Sequence, residues 1–414
     1  MKKLLRFERL NRRDFLRSAS SAGLSLAALP ISRAGAATVN RVIVIGAGVV
    51  GASIACHLAK RGAEVTVIDQ RGPASQASGN TFAWINASYY DRPDAYYELR
   101  TASLHEYRRL AAEAGFDVDW GGSLEWYHDR ETEREVAEGV RRTQHLGAPA
   151  RMIDAEEVAR LEPRLKLAGD WQVAWSSRDG AVDASAMTNA LLNKVRSYGG
   201  DLVFPARAGA IRETVDGMVV ETDVDTFSAD LVVAATGIGA NDTAAMAGIR
   251  VPLLKPPTPG IIVTTSPMPR LLNAISYTTE SHFYQRADGR VVIGEKLGPP
   301  DTTEHAGFLQ HYPNRYPSDE IATEHAARVI ATASRYVPGL ADARPEQVGV
   351  GWRPLPVDGL PIIGRAPQMP GVYLASMHSG VTLAPIVGRL AAIEILDGLV
   401  VSPLEPFRVQ RLQT

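Results

Sequence analysis

A glycine-rich turn between two apolar runs is the feature of this sequence whose spacing points most directly to chemistry. GAGVVG, residues 46–51, follows directly on RVIVI, residues 41–45. In this spacing the first glycine permits a tight turn, the second lets a diphosphate approach the backbone, and the third brings the next helix close to the strand. The start of that helix adds amide groups and partial positive charge. The predicted ligand contacts are Gly46, Gly48, Val49, Val50 and Gly51.

A carboxylate ends the second apolar run, EVTVID, residues 64–69. Asp69 stands about 20 residues beyond the glycines, where an acidic side chain accepts hydrogen bonds from a ribose. Gln70 follows it and is included in the predicted contacts. Together the two runs and the helix between them form one βαβ unit that binds a dinucleotide, and this unit by itself is compatible with NAD or FAD.

Arg353 is the residue whose chemistry best suits a small carboxylate substrate. It lies in GWRPLPVDGLPIIG, residues 351–364, and its planar guanidinium can bind a carboxylate through two parallel hydrogen bonds. A structural salt bridge or a contact to the cofactor is the alternative. The candidates to line the same pocket are Tyr277, His282, Tyr284, Trp352 and His378. The sequence shows no metal-ligand spacing and no GxSxG nucleophile turn, so no metal is expected.

Three further segments resemble the D-amino-acid oxidase, glycine oxidase and sarcosine oxidase superfamily. They are GPASQASGNTFAW (72–84), ATGIGAN (235–241) and RPLPVDGLPIIG (353–364), and the resemblance extends over residues 40–405. It implies FAD as the cofactor, oxidation of a small amine as the activity, and Arg353 as the ligand of the substrate carboxylate. The FAD contacts that it implies are Ala77, Ser78, Asn80, Ala208, Thr236 and Gly237.

HSGVTLAP, residues 378–385, resembles the loop that contacts the flavin in this superfamily. The resemblance implies that Gly380, Val381 and Thr382 lie near the ring edge, where amides at a helix start stabilise the negative charge of the reduced flavin. Here glycine follows His378 by two residues where four are usual, and Met377 replaces a usual glycine, so this loop is shorter.

Non-covalent binding of FAD is expected from the positions of cysteine and histidine. Members of the superfamily that attach flavin covalently use a late cysteine or an early histidine. In this chain the single cysteine is Cys56, inside the first predicted helix, and no histidine stands between Leu58 and Leu104. A single cysteine also excludes a disulfide within the chain.

The predicted fold class is α/β, with a Rossmann-like FAD-binding domain and an interleaved α+β substrate domain. Apolar β-branched runs predict a parallel sheet covered by helices, one of them over residues 383–396, and Pro/Gly-separated runs between 252 and 294 predict an antiparallel sheet. The predicted ranges are 1–36 for a signal peptide, 40–90, 150–245 and 335–405 for the FAD-binding domain, and 91–149 and 246–334 for the substrate-binding domain.

The N-terminus resembles a twin-arginine export signal. NRRDFLR, residues 11–17, precedes a mildly apolar stretch and an AxA cleavage pattern at residues 34–36. We therefore expect the twin-arginine machinery as a partner and a periplasmic or secreted location. Without the first 36 residues the chain has 36 basic and 44 acidic residues, which argues against nucleic acid as a partner. No run of 18 apolar residues predicts a membrane span.

The predicted activity is oxidation of an amino acid or an N-substituted amino acid at a CH–NH or CH–NH2 group. A hydride passes to flavin N5, and the resulting imine hydrolyses. The final electron acceptor is oxygen or a respiratory component, and the sequence does not choose between them. The alternatives are an NAD-dependent dehydrogenase built on the same βαβ unit and an exported flavin-binding protein without turnover.

Overall fold

The helices follow the predicted amphipathic stretches closely. The computed structural model describes residues 39–88, 93–296 and 303–412. The α-helices in these ranges are α1 (Val49–Lys60), α2 (Asp94–Ala114), α3 (Arg130–His145), α4 (Ala155–Leu161), α5 (Ala184–Ser197), α6 (Ala240–Ala245), α7 (Thr303–Leu309), α8 (Asp319–Ser334) and α9 (Gly380–Asp397). Helix α9 begins three residues earlier than the sequence predicts, and this difference shapes the candidate site.

The strands fall into four sheets. In chain order they are β1 (Arg41–Ile45), β2 (Glu64–Ile68), β3 (Trp84–Ile85), β4 (Val118–Asp119), β5 (Ser123–Glu125), β6 (Ala150–Ile153), β7 (Val173–Ser176), β8 (Gly180–Val182), β9 (Asp201–Val203), β10 (Ala208–Thr214), β11 (Gly217–Thr222), β12 (Thr226–Ala229), β13 (Leu231–Ala234), β14 (Pro259–Thr265), β15 (Ile275–Tyr277), β16 (Ser281–Gln285), β17 (Val291–Glu295), β18 (Pro345–Trp352), β19 (Ile362–Ala366) and β20 (Met369–Ser376).

A mostly parallel sheet forms the nucleotide-binding layer. Its order is β19-β20-β13-β1-β2-β9, and β1 is parallel to both of its neighbours, with Val42 opposite Leu231 and Val65. Four of the five β1 side chains are buried, because helices cover one face and the second core covers the other. Helix α9 packs against α1, where Gly388 leaves no room for a Cβ beside Ser53. The predicted Rossmann-like α/β architecture is confirmed.

A second, eight-stranded sheet lies beside the first layer. Its order is β18-β14-β17-β16-β15-β5-β7-β6, and every neighbouring pair is antiparallel except β15 with β5. Helix α8 packs on this sheet through a core that includes Ala326, Val329 and Phe283. The predicted antiparallel sheet is confirmed, and its strand β16 is buried along its whole length.

Some elements pack differently from the ranges that the sequence predicts. Strands β6, β7 and β18 join the eight-stranded sheet, although 150–245 and 335–405 were assigned to the FAD-binding part. Helix α2 packs on α9 and α5 in the nucleotide-binding layer, although 91–149 was assigned to the substrate-binding part. Residues from 39 onward form one compact unit, so the domain boundaries themselves stay a prediction. A short strand carries little local information about which sheet it will join, because pairing partners are distant in sequence.

Two small three-stranded sheets complete the described fold, β10-β11-β12 and β3-β8-β4. No helix of the described ranges is long and apolar enough to cross a bilayer. The predicted signal at 1–36 lies outside the described residues.

Candidate cofactor and substrate site

The turn after β1 requires glycine at two of its three predicted positions. Gly46 has a φ of +115°, and a Cβ there would overlap the carbonyl oxygen of Ala235. At Gly51 a Cβ would overlap the carbonyl oxygen of Gly46, so this glycine lets α1 pack against the turn. Gly48 is the extended N-cap of α1, and the nearest atom to the position of a Cβ there is Ser78 Oγ, at 3.2 Å. The backbone is therefore uncovered where a phosphate would approach.

Asp69 fixes the turn to the end of β2. Its Oδ2 accepts the amide of Ala47 at 2.9 Å, and its Oδ1 accepts the amides of Arg71 at 2.8 Å and Gly72 at 2.9 Å. A carboxylate has about four acceptor positions, so one remains on Oδ2 for a ribose hydroxyl. The carboxylate thus organises the loop in addition to the predicted ribose contact.

The segment after β2 lies across the start of α1. Ser78 Oγ accepts the amide of Val49 at 3.0 Å, which leaves its hydroxyl hydrogen available to donate. Asn80 turns away from the helix: its Nδ2 donates to the carbonyl of Gln76 at 3.0 Å, and its Oδ1 lies against Gly349. Ser78 therefore belongs to the cavity wall, whereas Asn80 shapes the segment from behind.

A cavity of about 610 Å³ runs from the end of β2, past the glycine turn, to the start of α9. Its size lies within the range of pockets that bind a cofactor. The predicted residues that line it are Gly46, Gly48, Val49, Val50, Asp69, Gln70, Ala77, Ser78, Ala208, Thr236, Gly237, Trp352, His378, Gly380 and Val381. The predicted residues outside this lining are Gly51, Asn80, Tyr277, His282, Tyr284, Arg353 and Thr382. Direct contact of each with FAD stays a prediction.

The start of α9 presents amide groups to one end of this cavity. The first intrahelical bond runs from the amide of Leu383 to the carbonyl of Ser379 at 3.0 Å. The amides of Gly380, Val381 and Thr382 precede it and have no helical acceptor. Because the helix begins at Gly380, the shorter loop still delivers these donors and the positive end of the helix dipole.

Side chains from other elements hold this helix start in place. Pro385 has no N–H for the carbonyl of Val381, and the hydroxyl of Tyr107 donates to that carbonyl in its place. Thr382 is buried, and its Oγ1 donates to the carbonyl of Trp84 at 3.0 Å. Thr382 therefore anchors the helix to β3, a role different from the predicted flavin contact.

Two predicted pocket residues lie on one face of the eight-stranded sheet, each above a glycine. The ring of His282 on β16 occupies the space where Gly294 on β17 would carry a Cβ. The side chain of Arg353 lies over Gly260 on β14, with Nε 3.3 Å from the position of a Cβ. The two glycines remove side chains from the floor of this pocket, and so give both functional groups room.

His282 is a neutral imidazole enclosed by aromatic rings. It is 8% exposed, stacks on Tyr277 with ring centroids 5.3 Å apart, and meets the edge of Phe82 at 4.4 Å. Burial, followed by the positive charges of Arg353 and Lys296, lowers the pKa of His282 to about 3. Its Nδ1 is buried without a hydrogen-bond partner in the described part of the chain.

A backbone hydrogen bond fixes Arg353, whereas its guanidinium has no hydrogen-bond or ion-pair partner among the described residues. Its amide donates to the carbonyl of Thr258 at 3.1 Å. Among the described residues, no side chain or carbonyl forms a hydrogen bond or an ion pair with this guanidinium. The neighbours Trp352 and Pro354 line the large cavity, and Trp352 Nε1 donates to the carbonyl of Pro313 at 2.6 Å. Arg353 therefore stands beside the part of the cavity wall that Trp352 and Pro354 form.

Tyr284 has a packing role in this arrangement. Its ring meets Phe82 edge-on at 5.1 Å, in a small core with Ile262 and Val292. Burial raises the pKa of Tyr284 to about 12, and the nearby Arg286 opposes that shift. Arg286 is an ion-pair partner of Asp183, with Nη1 to Oδ2 at 2.9 Å.

Lys296 is the residue of this pocket that the sequence analysis overlooked. Its Nζ lies 4.1 Å from the ring centroid of Tyr277 and 4.4 Å from that of Tyr127. Burial of the ammonium between the rings lowers the pKa of Lys296 to about 8, against the opposing charge of Glu125. Strand alternation was the available signal, because Lys296 follows Gly294 by two positions and so lies on the face of His282.

The residues that line the cavity fit FAD that is bound without a covalent link. Unpaired helix amides at Gly380 and Val381 face one end of the cavity, and Asp69 faces the other. Cys56 is 2% exposed inside α1, where burial raises its thiol pKa to about 11, so it is neither placed nor activated for attachment. No group of three potential metal-ligating side chains occurs in the described ranges.

The fold and the cavity together define a dinucleotide-dependent oxidoreductase. A family model described as FAD dependent oxidoreductase (DAO) matches residues 41–393. The chain belongs to this family of FAD-dependent enzymes, and the NAD-dependent alternative is not favoured.

Similar proteins cover nearly the whole chain. A glycine oxidase of Bacillus licheniformis is 26% identical over 381 residues, which is 89% of this chain and 96% of that protein. The crystal structure of glycine oxidase from Geobacillus kaustophilus superposes with a TM-score of 0.79 at 25% identity, over 90% of this chain and 99% of that one. The L-proline dehydrogenase from P. horikoshii superposes with a TM-score of 0.78 at 25% identity, over 91% and 98%.

Proposed function

We propose that this FAD-dependent enzyme oxidises the amine of an amino acid or an N-substituted amino acid. The observation that carries the proposal is the guanidinium of Arg353, which has no partner among the described residues and lies over Gly260 beside the cavity wall formed by Trp352 and Pro354. The planar guanidinium, without a partner in the described ranges, can bind a carboxylate through two parallel hydrogen bonds. The similar proteins named above include an oxidase of glycine and a dehydrogenase of L-proline, which supports an amino acid as the substrate.

Bound FAD supplies the acceptor for a hydride from the substrate carbon that bears the amine. Arg353 holds the carboxylate and thereby sets the distance of that carbon from the cavity. His282 presents a neutral ring nitrogen to the amine, since its pKa of about 3 makes it too weak a base to take the proton. Burial of the substrate among the aromatic rings around His282 lowers the pKa of its ammonium, so its proton passes to solvent. The oxidised product is an imine, which water hydrolyses to a carbonyl compound and an amine.

The test is reduction of the bound flavin by substrate without oxygen. Purified protein is expected to be yellow, and a matching amino acid should bleach the flavin absorbance anaerobically. Arg353→Ala should raise the substrate KM about 100-fold or more, because one charged bidentate contact is lost. Arg344→Ala, an exposed arginine remote from the site, is the matched control. If no amino acid bleaches the flavin of a protein that retains FAD, the non-catalytic flavin-binding alternative is correct.

The electron acceptor of the enzyme is also a proposal. The similar proteins include an oxidase and a dehydrogenase, so the acceptor is oxygen or a respiratory component. Paired assays with oxygen and with an artificial acceptor decide between them.

Export is supported by the NRRDFLR segment, and replacement of Arg12 and Arg13 by lysine should keep the protein in the cytoplasm. Exported protein in that double variant would contradict the twin-arginine route.

A further inference from the structure

Two cations lie on the sheet face that carries His282. Arg353 follows β18 and lies over Gly260 on β14. Lys296 directly follows β17, two positions after Gly294, so it shares the face of the imidazole. Both positive charges disfavour the charged form of His282, which places the two cations within electrostatic reach of this ring.

Tyrosine rings orient the ammonium of Lys296, and no carboxylate of the described ranges forms an ion pair with it. Its Nζ lies 4.1 Å from the ring centroid of Tyr277 and 4.4 Å from that of Tyr127. Within the described ranges, no Asp or Glu oxygen lies within 4.0 Å of this nitrogen. The Lys296 amide donates to the carbonyl of Glu280 at 3.1 Å, which fixes the residue at the strand end. Ring faces attract the cation without using its three N–H donors, so these stay available to an anion.

Two buried polar atoms beside Tyr277 have no hydrogen-bond partner in the described part of the chain. His282 Nδ1 and Trp84 Nε1 are both buried without a hydrogen bond in the described part of the chain. Both side chains flank Tyr277, with ring centroids 5.3 Å from it in each case. Native proteins rarely leave buried polar atoms unpaired, so these atoms mark the space of a polar ligand.

We infer that the site selects an amino acid with two carboxylates, one bound by Arg353 and the second by Lys296, with the amine beside His282. The inference rests on the proposed function and deepens it. A dianion pairs with both cations, whereas a monocarboxylate leaves the Lys296 ammonium with only the more distant charge of Glu125. The second carboxylate can stand on the nitrogen substituent or on the side chain of the amino acid, since the same pair of cations accepts either.

Unreactive analogues test the second carboxylate without turnover. Diglycolate is the ether analogue of iminodiacetate, and methoxyacetate is that of N-methylglycine. Calorimetry on the purified holoenzyme should show diglycolate binding about 10- to 100-fold more tightly than methoxyacetate. Lys296→Met and Lys296→Gln should remove this difference, Lys296→Arg should keep most of it, and Lys166→Met, an exposed lysine outside the site, should leave it unchanged. Equal affinities for the two ligands in wild type, or a difference that survives in both neutral variants, would overturn the inference.

Turnover separates the two sources of the second carboxylate. Iminodiacetate compared with N-methylglycine tests the nitrogen substituent, and glutamate compared with norvaline, in both enantiomers, tests the side chain. A kcat/KM preference for the dicarboxylate that Lys296→Met removes is expected in one of these pairs. If the dicarboxylate analogue binds more tightly but none of these compounds is oxidised, the second anion site is retained and the proposed function is rejected. Equal oxidation of both members of each pair would reject the inference and retain the function.

Discussion

The imidazole of His282 occupies the place that a side chain at Gly294 would fill on the neighbouring strand. The His282 ring can stack on Tyr277 in this position only because residue 294 on β17 is a glycine. Burial of the imidazole in this position, followed by the charges of Arg353 and Lys296, lowers its pKa and keeps it neutral.

Gly294→Ala should displace the His282 ring. Because the added Cβ would overlap Nε2, the ring must leave its stack on Tyr277. Misplacement of a pocket side chain by about 1 Å costs up to about 100-fold, so we expect kcat/KM to fall about 10- to 100-fold. In a His282→Ala background the same substitution should change kcat/KM less than about twofold, because the clash is absent. Gly307→Ala, whose Cβ meets nothing within 4 Å, is the matched control. Equal losses in both backgrounds would contradict the prediction.

Tyr107→Phe should weaken FAD binding through the start of α9. The hydroxyl donates to the carbonyl of Val381, which Pro385 leaves without its helical partner. A buried carbonyl that loses its donor costs about 1–3 kcal/mol, so the free energy of unfolding should fall by that amount and the Kd of FAD should rise. Pro385→Ala restores an N–H, so the double variant should lose less stability than the sum of the single losses. Denaturant unfolding and FAD titration measure both effects, and strict additivity would argue against this pairing.

Asp69→Asn should loosen the glycine turn. The carboxylate accepts the amides of Ala47, Arg71 and Gly72, and an asparagine amide nitrogen would face at least one of these donors. We expect the free energy of unfolding of the apoprotein to fall by about 1–3 kcal/mol and the Kd of FAD to rise about tenfold or more. Asp216→Asn, at an exposed turn, is the control. An unchanged apoprotein stability would restrict Asp69 to the ribose contact alone.

The affinity for diglycolate should decrease from pH 7 to pH 9. The pKa of Lys296 is about 8, so its ammonium is mostly charged at pH 7 and loses its proton as the pH rises through that value. His282 stays neutral throughout this range, and the other charged groups near Lys296 and His282 are Glu125 and Arg353. The diglycolate Kd should therefore rise about tenfold across this window, while the methoxyacetate Kd changes little. A Lys296→Met enzyme with the same pH profile as wild type would assign the effect to another group.

Much of the nucleotide-binding layer was predictable because its signals are local. RVIVI, the glycines at 46, 48 and 51, and Asp69 lie within 29 consecutive residues, and each acts through its own backbone or its near neighbours. The strand over 64–68 was likewise predicted within one residue, from its apolar run. The start of α9 was predicted three residues late, because the hydroxyl that compensates for Pro385 comes from Tyr107, far away in the chain.

The sequence by itself determined the dinucleotide turn and the buried strands beside it, because residue type and short-range spacing encode them. Only the tertiary structure decided which groups share the substrate pocket. Lys296, His282 and Arg353 meet because strands β16, β17, β14 and β18 pair in one register across the sheet. Register between distant strands is set by packing over the whole sheet face, and no local pattern records it.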